Sequence, residues 1–234
     1  MKLKKRYIWN HPTKLILYPL FRRFAVYTKL SFDALAQAWD IVDRIDQEEI
    51  PGAIVELGCW NGGCGALMSY RTKQNGSNRS VWLFDSFEGL PELTEEDMEW
   101  AALIQQPVSK SSHSTLRPTG YFKASQEKVH EILDRMHVAE AVYIEKGWFQ
   151  NTLPAVKDKI GPIAFMRLDG DIYESTKVPL EILFDQISKG GYIVIDDFHL
   201  RGCRQAIYEF FAEHNVWPLL INAPRDGRAY FRKS

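Results

Sequence analysis

A chain of 234 residues is long enough for one large α/β domain, or for such a domain with an added arm. Apolar residues make up 45% and charged residues 25%, an ordinary balance for a protein with a buried core, and a net charge of -1 gives nucleic acid no global attraction. No run approaches the roughly 18 apolar residues of a membrane span, so a cytoplasmic location is expected.

Charge is nonetheless unevenly placed. Eight of the 29 Lys and Arg lie in residues 1–30, and none of the 30 acids does. A signal peptide would need an unbroken apolar stretch after Lys2–Arg6, and Asn10, His11, Pro12, Thr13 and Lys14 interrupt it. The basic, aromatic stretch from Tyr7 to Lys29 reads as an arm against a partner subunit or a membrane surface, or else as a solvated extension. Ser31 then caps a helix whose apolar side is Phe32, Leu35, Trp39, Val42 and Ile45. Pro51-Gly52 ends this N-terminal unit, 1–50, and the main domain follows from 51 to 234.

From there strands and helices alternate. Ala53–Leu57 is a short buried strand, and Gly62 to about Arg71 a helix. Val81–Phe84 is the second strand, and Ser125 caps a helix carrying Val129, Ile132, Leu133 and Met136. Ala141–Ile144, Ile163–Leu168 and Tyr192–Ile195 are the third to fifth strands. Helices are expected over 173–188 and 202–214, and two last strands near 216–221 and 228–232. Short apolar strands between helices argue for an α/β fold, a mostly parallel seven-stranded sheet covered on both faces. Ligands of such sheets bind beyond the carboxyl ends of the strands, at the switch point. The long stretch from Glu88 to Thr119 breaks the rhythm and reads as a lid over that edge, or as a disordered insertion.

Two features at the strand ends carry chemistry. After the first strand comes Glu56-Leu57-Gly58-Cys59-Trp60-Asn61-Gly62-Gly63-Cys64-Gly65, a glycine loop that lacks the G-x-G-x-x-G dinucleotide fingerprint. Glu56 would repel a pyrophosphate but suits the ammonium of an amino-acid-like ligand, and Asp85 ends the second strand where acids accept ribose hydroxyls. Together they indicate a nucleoside ligand without phosphates, such as S-adenosylmethionine; the alternative is that both acids only cap strand ends. The second feature is Asp169 and Asp171 after the fourth strand with Asp196-Asp197 after the fifth. Carboxylates crowded at one edge call for a compensating cation, and hard oxygen donors select Mg²⁺, Ca²⁺ or Mn²⁺. Helix capping is the competing explanation, and it covers Asp171 better than the other three.

Five groups of residues in order carry a family resemblance over about 52–211. They are Val55–Gly63, Phe84–Pro91, Lys146–Phe149 followed by Thr152–Pro154, Arg167–Thr176, and Gly190-Gly191 with Asp196-Asp197 and Gly202–Arg204. The sequence resembles the macrocin O-methyltransferase family, metal-dependent enzymes that methylate sugar hydroxyls of natural products. The resemblance implies a single Rossmann-like class I methyltransferase domain using S-adenosylmethionine and Mg²⁺, or Mn²⁺ in its place, on a sugar or glycoside acceptor. It implies metal binding by Asp169, Asp196 and Asp197. Glu56, Gly58 and Asp85 would hold the cofactor, with Trp60, Asn61, Gly62 and Ser86 beside them and Gly147-Trp148 near its adenine. A homo-oligomer is expected. The tract from Phe198 to Arg201 departs from the family by being short and by containing His199.

Asp169 is the first candidate for general base, and His199 competes because its pKa suits proton transfer; a surface loop position is the plain reading of His199. Two other functions remain open: a metal-dependent glycosyltransferase using Asp169-Gly170-Asp171, or a methyltransferase-like binding module without catalysis. No G-x-S-x-G motif supports a hydrolase. Cys59, Cys64 and Cys203 show neither C-x-x-C nor zinc spacing, so buried thiols in a reducing compartment are expected.

Overall fold

The structure is a computed structural model that describes residues 16–108, 117–223 and 227–234. Residues 1–15 of the expected arm and 109–116 of the expected lid lie outside that set.

Among the described residues two helices precede the sheet, α1 (Tyr18–Ala25) and α2 (Phe32–Gln47). The Ser31 hydroxyl caps α2 as expected, accepting from Ala34 N at 3.1 Å. Neither helix is a solvated extension. Phe21, Phe24, Leu35, Val42 and Ile45 are fully buried and join the core of the sheet.

The strands are β1 (Ala53–Leu57), β2 (Val81–Asp85), β3 (Val142–Lys146), β4 (Ile163–Leu168), β5 (Ile187–Ile195), β6 (Ile221–Ala223) and β7 (Arg228–Arg232), in the order β3-β2-β1-β4-β5-β7-β6. The first five run parallel, and β7 pairs antiparallel with both β5 and β6. Helices α3 (Gly63–Asn75) and α5 (Gln126–Met136) cover one face with α1 and α2. The other face is covered by α6 (Phe149–Ile160), α7 (Tyr173–Leu183) and α8 (Arg201–Glu213). Alternate β1 residues serve opposite layers: Ile54 enters the first core, Val55 and Leu57 the second. Burial on both faces is why these strands read as unbroken apolar runs.

Several boundaries differ from expectation. β5 begins at Ile187, upstream of Gly190-Gly191, so α7 stops at Leu183 instead of continuing to 188. The sixth strand starts at Ile221, where it was expected to end. Helix α6, which contains Pro154, is an element beyond those expected from the sequence.

The stretch after β2 is packed where it is described. Its short helix α4 (Met98–Ile104) and Leu90, Leu93 and Ala101 form a small core with Ile172. Backbone bonds from Glu92 N to Arg117 O and from Thr119 N to Leu90 O tie its two ends together.

Candidate active site

Parallel register brings the ends of four strands into one row. Gly58 N donates to Phe84 O, Asp169 N to Leu57 O and Asp196 N to Leu168 O, each at 2.8 Å. The strand order reverses between β1 and β4, so this row lies at the switch point. A cavity of about 310 Å³ opens there. Thr28–Ser31 form part of its wall, and Leu90, Pro91 and Phe122 another part.

The carboxylates do converge. Asp169, Asp196 and Asp197 each offer an oxygen within 4.8 Å of the other two. A buried cation organises them from beneath. Arg167, next to the last residue of otherwise apolar β4, is only 2% exposed. Its Nη1 donates to Asp169 Oδ2 at 2.7 Å and to Glu56 Oε1 at 3.1 Å. Its Nη2 lies 2.8 Å from Asp196 Oδ1, an ion pair whose angles fall short of a hydrogen bond. The sequence signal for this residue was a lone charge inside an otherwise apolar strand, and it went unassigned.

One arginine does not neutralise the group. Glu56, Asp169, Asp171, Asp196 and Asp197 all line the cavity. Burial, above all, raises Glu56 to about 7, with Asp169 adding repulsion while Arg167 opposes it. Asp169 rises to about 6 and Asp171 to about 8, again mainly through burial, with neighbouring acids adding to it. Asp197 is pushed well up by burial and by Asp171, Asp169 and Asp196. Such shifts mark a site short of positive charge. An all-carboxylate donor set with this spacing fits a hard divalent ion such as Mg²⁺ or Mn²⁺.

Asp85, raised to about 6 by burial, has a second duty beside any ligand. Its Oδ2 accepts from Trp60 N at 2.9 Å and its Oδ1 from Phe87 N at 2.7 Å. It therefore pins the glycine loop, where Trp60 has φ 49°, to the end of β2. An ionised carboxylate has about four lone-pair sites, so acceptor capacity remains. Gly58 (φ +90°) is compelled by close approach: a Cβ there would stand 1.8 Å from Asp169 O. Ser86 lines the cavity and shapes its turn through Oγ, donating to Gly89 O and accepting from Glu88 N. Gly147 and half-buried Trp148 also face the cavity, and Trp148 begins α6 as its N-cap.

Three expected site residues are not brought to the cavity lining. Asn61 is buried, its Oδ1 accepting from Ser125 N at 2.9 Å, so it ties the glycine loop to α5. Gly62, the N-cap of α3, backs onto Val129, whose Cγ1 a Cβ would approach to 2.8 Å. His199 is exposed on the turn after Asp197, with its backbone N–H bonded to Gly227 O and its ring against that glycine.

Asp171 has φ 63° and donates its N–H to Asp197 Oδ2 at 3.2 Å, bracing the cluster from its backbone. All three cysteines are buried and free. Among the described residues no helix is long and apolar enough to cross a membrane.

Comparison with known proteins places this geometry in context. A family model described as macrocin-O-methyltransferase (TylF) matches residues 23–233. Over 177 residues the chain is 32% identical to the 8-demethyl-8-(2,3-dimethoxy-alpha-L-rhamnosyl)-tetracenomycin-C 4'-O-methyltransferase of Streptomyces olivaceus, a match spanning 75% of this chain and 64% of that enzyme. It is 31% identical over 207 residues to the demethyldecarbamoylnovobiocin O-methyltransferase of Streptomyces niveus, spanning 86% of this chain and 74% of the relative. Among solved structures the O-methyltransferase NovP superposes with a TM-score of 0.76 at 29% identity, over 89% of this chain and 82% of its own.

Proposed function

The chain belongs to the macrocin O-methyltransferase family and has its class I fold, and from that premise we propose that it methylates a hydroxyl of a sugar or glycoside. The donor in this reading is S-adenosylmethionine, and Asp169, Asp196 and Asp197 would hold a Mg²⁺ or Mn²⁺ ion beside the acceptor hydroxyl. The observation that carries the proposal is the convergence of those three carboxylates on a cavity that also receives the glycine loop and Asp85. Relatives named for the 4'-O-methylation of a rhamnosyl-tetracenomycin and for O-methylation in the novobiocin series support a glycoside acceptor.

When bound, the donor supplies an electrophilic methyl carbon and the divalent ion lowers the pKa of the acceptor hydroxyl. The protein's own groups position and deprotonate. Asp85 accepts ribose hydroxyls while holding the glycine loop closed, and Trp148 offers a flat face to the adenine. Asp169 takes the hydroxyl proton: its Oδ2 is held by Arg167, which leaves Oδ1 as the oxygen for that role. His199, exposed and away from the lining, takes no part. Excess negative charge on this floor favours the sulfonium; at an effective dielectric near 20, charges about 5 Å apart interact by roughly 3 kcal/mol.

The D-x-D glycosyltransferase reading falls with the family assignment, and it leaves the glycine loop without a purpose. The test is intact-mass analysis of glycoside acceptors after incubation with S-adenosylmethionine, with Mg²⁺ or with EDTA. A gain of one methyl mass that EDTA abolishes is expected; transfer undiminished by EDTA would refute the metal role, and no transfer across a broad glycoside panel would favour a binding module.

A further inference from the structure

Lys29 brings a cation to the mouth of a cavity whose floor is acidic. Its Nζ lies 4.6 Å from the ring centroid of Trp60 and 5.1 Å from that of Phe122, and all three residues line the cavity. Among the described residues no carboxylate forms an ion pair with it, although the field of Asp171 reaches it. Its position is set by the backbone around it. Gly63 N, at the start of α3, donates to Tyr27 O at 2.9 Å, and a Cβ at Gly63 would stand 2.6 Å from Phe24 O. The chain just before Lys29 is thus tied directly to the glycine loop. Two residues later Ser31 opens α2, whose positive end faces the same wall.

The donor assigned to this site ends in a zwitterion. Its ammonium is at home among the acids, but its carboxylate would be repelled by every acid on the floor. A cation poised over the glycine loop resolves that conflict. We propose that Lys29 binds the carboxylate of the donor's amino-acid head, an inference that rests on S-adenosylmethionine being the donor. The N-terminal segment then completes the donor site, and its basic character is explained at this residue by ligand binding.

The experiment compares two nucleosides by calorimetry on the full chain, S-adenosylhomocysteine and its decarboxylated analogue, which keeps the ammonium. Lys29→Met is expected to weaken S-adenosylhomocysteine about tenfold, roughly 1.4 kcal/mol, with Lys29→Arg recovering part of the loss. The analogue should bind the unaltered chain and Lys29→Met alike. Equal loss for both nucleosides overturns the assignment, because it would reflect damage to the loop. Unchanged S-adenosylhomocysteine affinity with a raised acceptor KM also overturns it and gives the ammonium to the acceptor instead. If the unaltered protein binds neither nucleoside, the donor reading itself fails, a result distinct from the other two.

Discussion

Arg167 governs how the acids of the site can coexist. Its guanidinium touches Glu56, Asp169 and Asp196 from inside β4, where water does not reach. Removing one member of a buried ion pair leaves the others uncompensated, typically at a cost of about 3–5 kcal/mol. Arg167→Met should therefore lower the unfolding free energy by about that amount in chemical denaturation, even though methionine fills similar space. A variant as stable as the parent would show that the acids were neutral all along. Asp196→Asn asks a different question, since it keeps shape and removes a ligand oxygen's charge. Turnover should drop at least about a hundredfold while S-adenosylhomocysteine affinity stays within a few-fold, because the proposed donor contacts, at Lys29 and after β1, β2 and β3, do not include Asp196. Normal turnover in Asp196→Asn would make the cluster structural. The carboxylates were legible from sequence because strand ends gather at one edge. Arg167 was not, since its meaning depends on three partners from three strands. The places of Asn61 and Gly62 were not legible either, since only the fold shows that the loop turns them toward α5.

At the level of elements, the stretch after β2 is held down by one buried acid. Asp97 Oδ1 accepts from Tyr173 N at 2.8 Å, while Oδ2 bonds Thr94, closing the turn that leads into α4. Gly202 of α8 leaves room for it, as a Cβ there would stand 2.3 Å from Oδ1. From sequence the stretch reads as a lid or a disordered insertion because of its length, and only the fold reveals that Asp97 points inward. Helix α6 is harder to see for a related reason, since it carries Pro154, which stands in its second turn where the missing N–H costs one internal bond. The expected result of Asp97→Ala is a loss of about 1–3 kcal/mol, the range for stranding buried donors, and faster cleavage by protease within 88–108. Asp97→Asn should cost less, since the amide keeps one acceptor oxygen, and Gly202→Ala should resemble Asp97→Ala. Cleavage rates unchanged in Asp97→Ala would mean that the small core around Leu93 holds the segment unaided.

For the whole molecule, the crowded acids predict an unusual dependence of stability on pH. Burial raises Glu56 to about 7, Asp85, Asp97 and Asp169 to about 6, and Asp171 to about 8 in the folded protein. In the unfolded chain these groups titrate near the ordinary carboxylate value of about 4. Between those limits the folded state holds protons that the unfolded state has released. Unfolding free energy must then fall as pH rises, since its slope follows the protons bound by the unfolded state minus those bound by the folded one. The contribution is complete below about pH 4 and is lost by about pH 8, the reverse of a protein stabilised by exposed ion pairs. A divalent ion changes the sign of the argument. It binds the ionised carboxylates and displaces their protons, so its stabilisation grows with pH. In EDTA the melting temperature should be higher near pH 5.5 than near pH 8, and saturating Mg²⁺ should shrink or invert that difference. A protein equally stable at both values in EDTA would show that Arg167 alone suffices to keep the acids ionised. A larger Mg²⁺ effect at the lower pH would mean that the ion binds elsewhere than at Asp169, Asp196 and Asp197.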